Sequence, residues 1–254
     1  MNKLITTRGL TKQFGSLTAL NQVDFQVIEG QISGVIGPNG SGKTTLFNLL
    51  SGYFPPTLGR ITFQNKELTG IPPHKRVVMG IARTFQLVSV FNSLSVWENL
   101  VLSNIRSKQK ELGISEFFFY QSSQKKIMAD CEKALQWVGL KSKAFNMTSD
   151  LSYGDKRMLE IAVALSLNPK VLLLDEPFAG LSDHEIGRVL ELIHKVKEGL
   201  TIVIIEHKLS KIVDLVKQLS VLNEGRIICE GSPDEVLANP TVRECYWGKA
   251  GGSC

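Results

Sequence analysis

The hydrophobic pattern changes period several times along the chain, and each change predicts an element. Over the first thirty residues apolar and polar positions alternate, as in Leu20-Asn21-Gln22-Val23-Asp24-Phe25-Gln26-Val27. Successive side chains of a strand point to opposite faces, so this segment predicts half-buried β-strands. Gly30 breaks the pattern before Ile32-Ser33-Gly34-Val35-Ile36, which reads as a short buried strand. A second apolar run, Leu46-Phe47-Asn48-Leu49-Leu50, reads as the body of a helix ending near Ser51. Gly52 to Gly59, with Pro55-Pro56, predicts a loop; Ile61-Thr62-Phe63 predicts a further strand and Pro72-Pro73 a turn.

From about Leu87 to Leu167 the pattern is helical. Ser95-Val96-Trp97-Glu98 fits a capping box, with serine at the N-cap and glutamate three residues on. Helices are predicted over Lys125 to Val138 and Asp155 to Leu167, the second stopped by Asn168-Pro169. Residues 107–124 are polar apart from Phe117-Phe118-Phe119-Tyr120. Strands then return at Val171-Leu172-Leu173-Leu174, Thr201-Ile202-Val203-Ile204-Ile205 and Ser220-Val221-Leu222, with helices between them. Short all-apolar strands alternating with helices predict a parallel sheet covered on both faces. The expected fold is α/β: a core from residues 1–86 and 169–254, with a helical subdomain inserted at 87–168.

The junction between the strand at 32–36 and its helix reads Gly-Pro-Asn-Gly-Ser-Gly-Lys-Thr-Thr over residues 37–45. Gly37, Gly42, Lys43 and Thr44 satisfy the phosphate-loop pattern, and the strand-before, helix-after context is the one that pattern needs. Glycines leave no Cβ between backbone and ligand. The N–H groups across Asn39, Gly40, Ser41, Gly42, Lys43, Thr44 and Thr45 can then converge on phosphate oxygens, helped by the helix dipole. Lys43 would neutralise phosphate charge, and the Thr44 hydroxyl would bind Mg²⁺. The expected ligand is a nucleoside triphosphate.

Hydrolysis needs more than binding. Asp175 ends the apolar strand at 171–174, on the side where ligands gather in open parallel sheets, and suits a metal-holding role. Glu176 is expected to point the other way by strand alternation and to act as general base; a plain helix N-cap is the alternative for the pair. His207 follows the strand at 201–205 and is read as a donor to the γ-phosphate, or else as an ordinary surface histidine. Gln86 sits where the core gives way to the helical insert, from where it could reach Mg²⁺ or the attacking water.

Composition narrows the function classes. The chain has 254 residues, 43% of them hydrophobic, which is ample for one domain with a subdomain. No apolar run approaches the roughly 20 residues of a membrane-spanning helix, and the N-terminus has no signal-peptide pattern. The net charge of +5 comes without a run of five or more like charges or basic–aromatic interleaving, so nucleic acid is not the expected partner. Cys131, Cys229, Cys245 and Cys254 lack metal-ligand spacing and read as reduced thiols of a cytosolic protein.

One further motif completes a set. Leu151-Ser152-Tyr153-Gly154-Asp155 opens a helix about twenty residues before Asp175-Glu176. With the phosphate loop, Gln86 and His207, in this order, it resembles the signature of ATP-binding-cassette ATPases. The resemblance covers about residues 3 to 248 and implies a P-loop NTPase (RecA-like) core with an antiparallel β edge and an inserted helical subdomain. It implies ATP and Mg²⁺ as ligands, and a head-to-tail dimer with a like or sister ATPase. In that dimer Ser152 and Gly154 would face the partner's γ-phosphate, having no anion of their own within one chain. Phe14 would stack on adenine, although core packing is the alternative for it.

Two positions depart from the family pattern. Asp155 stands where glutamine is common: an acid in a helix's first turn suits the dipole, yet it could weaken the partner site's anion cradle by repulsion; Ser182 stands where many relatives have aspartate. The segments Ala82–Gln86, Asp175–Leu181, Glu230–Pro240 and Val242–Gly248 are similar to the ATPase subunits of branched-chain amino-acid importers. Urea importers and lipopolysaccharide exporters share much of this, and a soluble cassette ATPase of an assembly machine is the rival of another class. The importer reading implies permease subunits, contacted by the insert through Phe91, Leu94 and Trp97. It also implies a periplasmic binding protein as an indirect partner, and a peripheral location on the cytoplasmic side of the inner membrane.

Overall fold

The alternation of the first thirty residues becomes two long antiparallel strands, β1 (Lys3–Phe14) and β2 (Leu17–Ile28). With β4 (Leu58–Phe63) and β5 (Lys66–Glu67) they form a four-stranded antiparallel sheet in the order β2-β1-β4-β5. The computed structural model describes residues 2–108, 120–207 and 209–247. Phe117, Phe118, Phe119, the Tyr120 side chain, Gly248 and Cys254 lie outside that description.

The all-apolar runs form a second sheet. β3 (Ile32–Ile36), β7 (Val171–Asp175) and β8 (Thr201–Ile205) are buried at every residue, as strands covered on both faces must be. β6 (Ile81–Arg83), β9 (Gln218–Asn223) and β10 (Arg226–Gly231) complete the order β10-β9-β3-β8-β7-β6, parallel except for the β10–β9 hairpin. Because β3, β6 and β7 run in parallel, their carboxyl ends lie at one edge. That edge receives the phosphate loop, Gln86 and the Asp175-Glu176 pair.

Helix α1 (Lys43–Ser51) buries Leu46, Phe47, Leu49 and Leu50 between the two sheets, in a core shared with Leu4, Ile5, Phe63, Leu173 and Val203. Each such leucine removed from water stabilises the fold by roughly 1.5–3 kcal/mol before entropy is counted. The turn expected at Pro72-Pro73 instead opens a helix, α2 (Pro73–Met79). Proline suits a first helical position, where its missing N–H costs nothing. Arg76 on α2 is 1% exposed and donates to Leu49 O, Leu50 O, Leu68 O and Ile71 O, so it satisfies carbonyls at the end of α1. Burial lowers its pKa to about 10.

The helical subdomain contains α3 (Val96–Lys108), α4 (Tyr120–Val138) and α5 (Tyr153–Ser166), which pack on one another and on the second face of the parallel sheet. The capping box at Ser95 forms as expected: Ser95 Oγ accepts from Glu98 N at 3.2 Å, and Ser95 N donates to Glu98 Oε2 at 2.7 Å. Trp97 packs against the core, whereas Phe91 and Leu87 are exposed. Helix α6 (Asp183–Val196) starts with a capping box of Ser182 and Glu185. The chain then runs through α7 (Leu209–Ile212), α8 (Pro233–Ala238) and α9 (Pro240–Trp247). Among the described residues no helix is long and apolar enough to cross a membrane, and Cys131, Cys229 and Cys245 are not joined to one another by disulfides.

Candidate nucleotide site

The phosphate loop needs its glycines for packing as well as for any ligand. A Cβ on Gly37 would strike the carbonyl oxygen of Leu222, and Gly42 has φ 105, a value only glycine adopts readily. The loop borders a cavity of about 610 Å³, together with Phe14, Gln86, Glu176 and Glu224. Asn39, Gly40, Ser41, Gly42, Lys43, Thr44 and Thr45 all line it. Another concavity, of about 550 Å³, lies on the antiparallel sheet beside Arg8, Asp24 and Arg60 but has no comparable run of backbone donors.

Lys43 is 6% exposed and is folded back on its own loop. Its Nζ donates to Gly37 O at 2.8 Å and to Pro38 O at 2.9 Å. Burial pushes its pKa down, while the nearby Glu176 and Asp175 charges oppose that shift. Its ammonium therefore lies within the field of both acids.

Asp175 ends β7 and is 1% exposed. Its Oδ2 accepts from Arg83 Nη2 at 2.7 Å, while the buried Oδ1 has no hydrogen-bond partner among the described residues. A buried carboxylate oxygen left over in this way fits a hard cation. Mg²⁺ is commonly held by one or two protein oxygens plus substrate phosphates, so the absence of a three-ligand acidic cluster among the described residues is no obstacle.

Glu176 corrects one step of the sequence reasoning. Its φ is 46, so it has left the strand and alternation does not set its direction. The left-handed turn, with Glu176 N donating to Ile205 O at 3.0 Å, brings the carboxylate to the cavity. There Oε2 accepts from Gln86 Nε2 at 3.1 Å. Thr44, Gln86 and Glu176 thus share one cavity wall. Phe14 lies at its rim, edge-on to Phe54 with ring centroids 5.5 Å apart and Lys12 Nζ 5.0 Å from its own centroid. His207 is not among the lining residues. Its side chain is exposed, with Glu206 Oε2 3.8 Å from Nδ1.

The signature residues lie apart from this cavity. Ser152 is the N-cap of α5 and accepts from Asp155 N at 3.1 Å. The cradle does have an anion of its own, contrary to expectation. The Glu185 carboxylate packs against Gly154, where a Cβ would collide with it. Helix α6 abuts the start of α5, and its capping glutamate lies at both helix ends. Asp155 likewise turns away from the role feared for it. It is buried and paired with Lys143 and with Arg188, the latter at 2.9 Å. Burial works against its charge, but these two partners outweigh it and hold the carboxyl below the usual range.

Three charged residues escaped the sequence reading. Arg157, on the buried face of α5, donates to Phe85 O at 2.7 Å, Gln86 O at 2.8 Å and Glu160 Oε2 at 2.8 Å. Glu160 Oε1 in turn accepts from Phe85 N at 2.9 Å. The backbone of the glutamine loop is therefore clamped to the signature helix. The signal was an acid and a base three apart among Met158, Leu159 and Ile161, on a helix face too apolar for solvated charges. Arg83 was visible only as part of the string before Gln86.

A strand–loop–helix phosphate site, with an acidic pair and a glutamine at the carboxyl edge of a parallel sheet, defines a P-loop ATPase; the antiparallel sheet and helical subdomain make it an ATP-binding cassette. Residues 20–179 match the family model described as ABC transporter, and residues 226–249 match that described as branched-chain amino acid ATP-binding cassette transporter. The chain is 36% identical over 251 residues to the high-affinity branched-chain amino acid transport ATP-binding protein LivG of Salmonella typhimurium, covering 97% of this chain and 98% of that one. It is 34% identical to the probable LivG of Methanocaldococcus jannaschii, again covering 97% and 98%. Among solved structures, the ADP conformation of MJ1267, an ATP-binding cassette of an ABC transporter, superposes with a TM-score of 0.85 at 32% identity over 98% of this chain and all of that one. The chain belongs to the ABC transporter family, as a LivG-like ATP-binding subunit.

Proposed function

We propose that this chain hydrolyses ATP to drive import of branched-chain amino acids through separate permease subunits. The observation that carries the ATPase reading is the single cavity joining the phosphate loop to Glu176 and Gln86. The substrate class rests on likeness along nearly the whole chain to relatives named for that transport.

The backbone N–H groups of residues 39–45 and Lys43 hold the phosphates, and Phe14 stacks on the adenine. Lys43 exchanges its loop carbonyls for phosphate oxygens. Thr44, Asp175 and Gln86 would hold Mg²⁺, which supplies charge neutralisation at the β- and γ-phosphates. Glu176 takes a proton from water; the water oxygen attacks the γ-phosphorus, the bond to the β–γ bridging oxygen breaks, and ADP and phosphate leave. Ser152 and the Gly154 N–H face the nucleotide of a partner ATPase in a head-to-tail dimer, homomeric or with a sister subunit. Closure then requires Glu185 to move off Gly154, and it brings His207 to the γ-phosphate. The core of residues 1–86 and 169–254 binds nucleotide, while the insert at 87–168 carries the permease contact on exposed Leu87 and Phe91. The protein sits peripherally on the cytoplasmic face of the membrane, served indirectly by a periplasmic binding protein.

Glu176→Gln tests the chemistry. Phosphate release should fall by about 10²–10⁴-fold, and the variant should accumulate as an ATP-dependent dimer on size exclusion. Normal turnover by the variant would remove Glu176 from the base role.

A further inference from the structure

Arg83 ends β6 with its side chain only 6% exposed, in a position where a core-facing strand residue is ordinarily apolar. Every arm of its contact set reaches the nucleotide machinery. Nη2 donates to Asp175 Oδ2 at 2.7 Å. Nη1 donates to Asn48 Oδ1 at 2.6 Å and to Ser51 Oγ at 3.0 Å, both on the helix that follows the phosphate loop. The guanidinium carbon lies 5.7 Å from the centroid of Phe47 and 5.2 Å from that of Phe85. Three residues further on, the same chain segment reaches Gln86.

We propose that Arg83 is a positioning residue for the metal-holding carboxylate. The inference rests on the reading of Asp175 as an Mg²⁺ ligand and extends it to the group that orients that ligand. A carboxylate turns easily about its last torsion, which is broad and two-fold. Arg83 takes one oxygen, Oδ2, and so presents the other, Oδ1, which has no protein partner among the described residues. Its positive charge also offsets the cost of burying Asp175. The guanidinium is a rigid fork that keeps its charge, so it can hold the carboxylate and Asn48 at once. An ammonium is a point charge on a flexible stem and can serve one of them well. Arg83 thereby links the height of Asp175 to helix α1 on one side and to the strand leading to Gln86 on the other.

The test is binding of Mn²⁺ to the protein with a non-hydrolysable ATP analogue, followed by electron paramagnetic resonance. Affinity for the analogue in EDTA and the melting temperature are measured alongside. Arg83→Met should weaken Mn²⁺ binding about 10–100-fold, as loss of groups that orient metal ligands does, and leave metal-free nucleotide affinity unchanged. Arg83→Lys should fall between the two. Should Arg83→Met fail to fold, Asn48→Ala keeps the Arg83–Asp175 pair but removes the shorter of the two bonds that hold its other arm, and should shift Mn²⁺ affinity in the same direction by less. A folded Arg83→Met, or Asn48→Ala, with unchanged Mn²⁺ affinity overturns the proposal. Asp175→Asn separates the two levels of failure. If it weakens Mn²⁺ binding while Arg83→Met does not, only the positioning role falls; if it too leaves binding unchanged, the metal-ligand reading falls with it.

Discussion

Asp155 shows how partners decide what a charged residue does. Read alone, an acid at the mouth of an anion cradle is a liability; in the fold it is buried under Lys143 and Arg188 and projects no free charge there. Its folded pKa lies below the ordinary 3.8, so its contribution to stability is complete above that value and is lost as pH falls through the folded one. Asp155→Asn should therefore lower stability by about 1–3 kcal/mol near neutral pH, and the gap should narrow at about pH 3. Urea unfolding at the two pH values measures this, and a constant gap would show that ionisation of Asp155 is not the source. The placement of Lys43, Thr44 and Asp175 could be read from the sequence because it follows from spacing beside a strand. The direction of Glu176 could not, because it depends on a left-handed backbone at one residue.

At the scale of elements, buried charges join pieces that apolar packing alone would leave free to slide. The Arg157–Glu160 pair holds the glutamine loop to α5, with side chains 0% and 6% exposed. Breaking one member of such a pair strands the other in the core and typically costs about 3–5 kcal/mol, whereas replacing both with apolar residues costs much less than the sum. Glu160→Leu and Arg157→Met should each destabilise by that order, and the double variant by less than their total; strictly additive values in chemical denaturation would contradict the clamp. Strands and helices with a clean period were legible along the chain. Helix α2 was not, because its two prolines mark a helix start as readily as a turn. Strand β10 was not, because no position in it is fully buried and its pattern is correspondingly weak.

At the scale of the molecule, two sheets share one core around α1, and the helical subdomain covers the other face of the parallel sheet. The order of strands brings residues 37–45, 86 and 175–176 to one edge although they are far apart in sequence. The signature, by contrast, does not line the chain's own cavity, and the proposed head-to-tail dimer would use it to complete the site of another subunit. Ser152 and His207 are both exposed, and the proposed dimer closure would cover them. The central claim is that this chemistry drives amino-acid import. Its most direct test is accumulation of labelled leucine in proteoliposomes reconstituted with the complex purified through this chain, with ATP on the side of the cassettes and the binding protein on the other. The account predicts ATP-dependent leucine accumulation with the native chain and none with Glu176→Gln. Phosphate release with no membrane subunits in the purified complex, or leucine accumulation that survives Glu176→Gln, would contradict it.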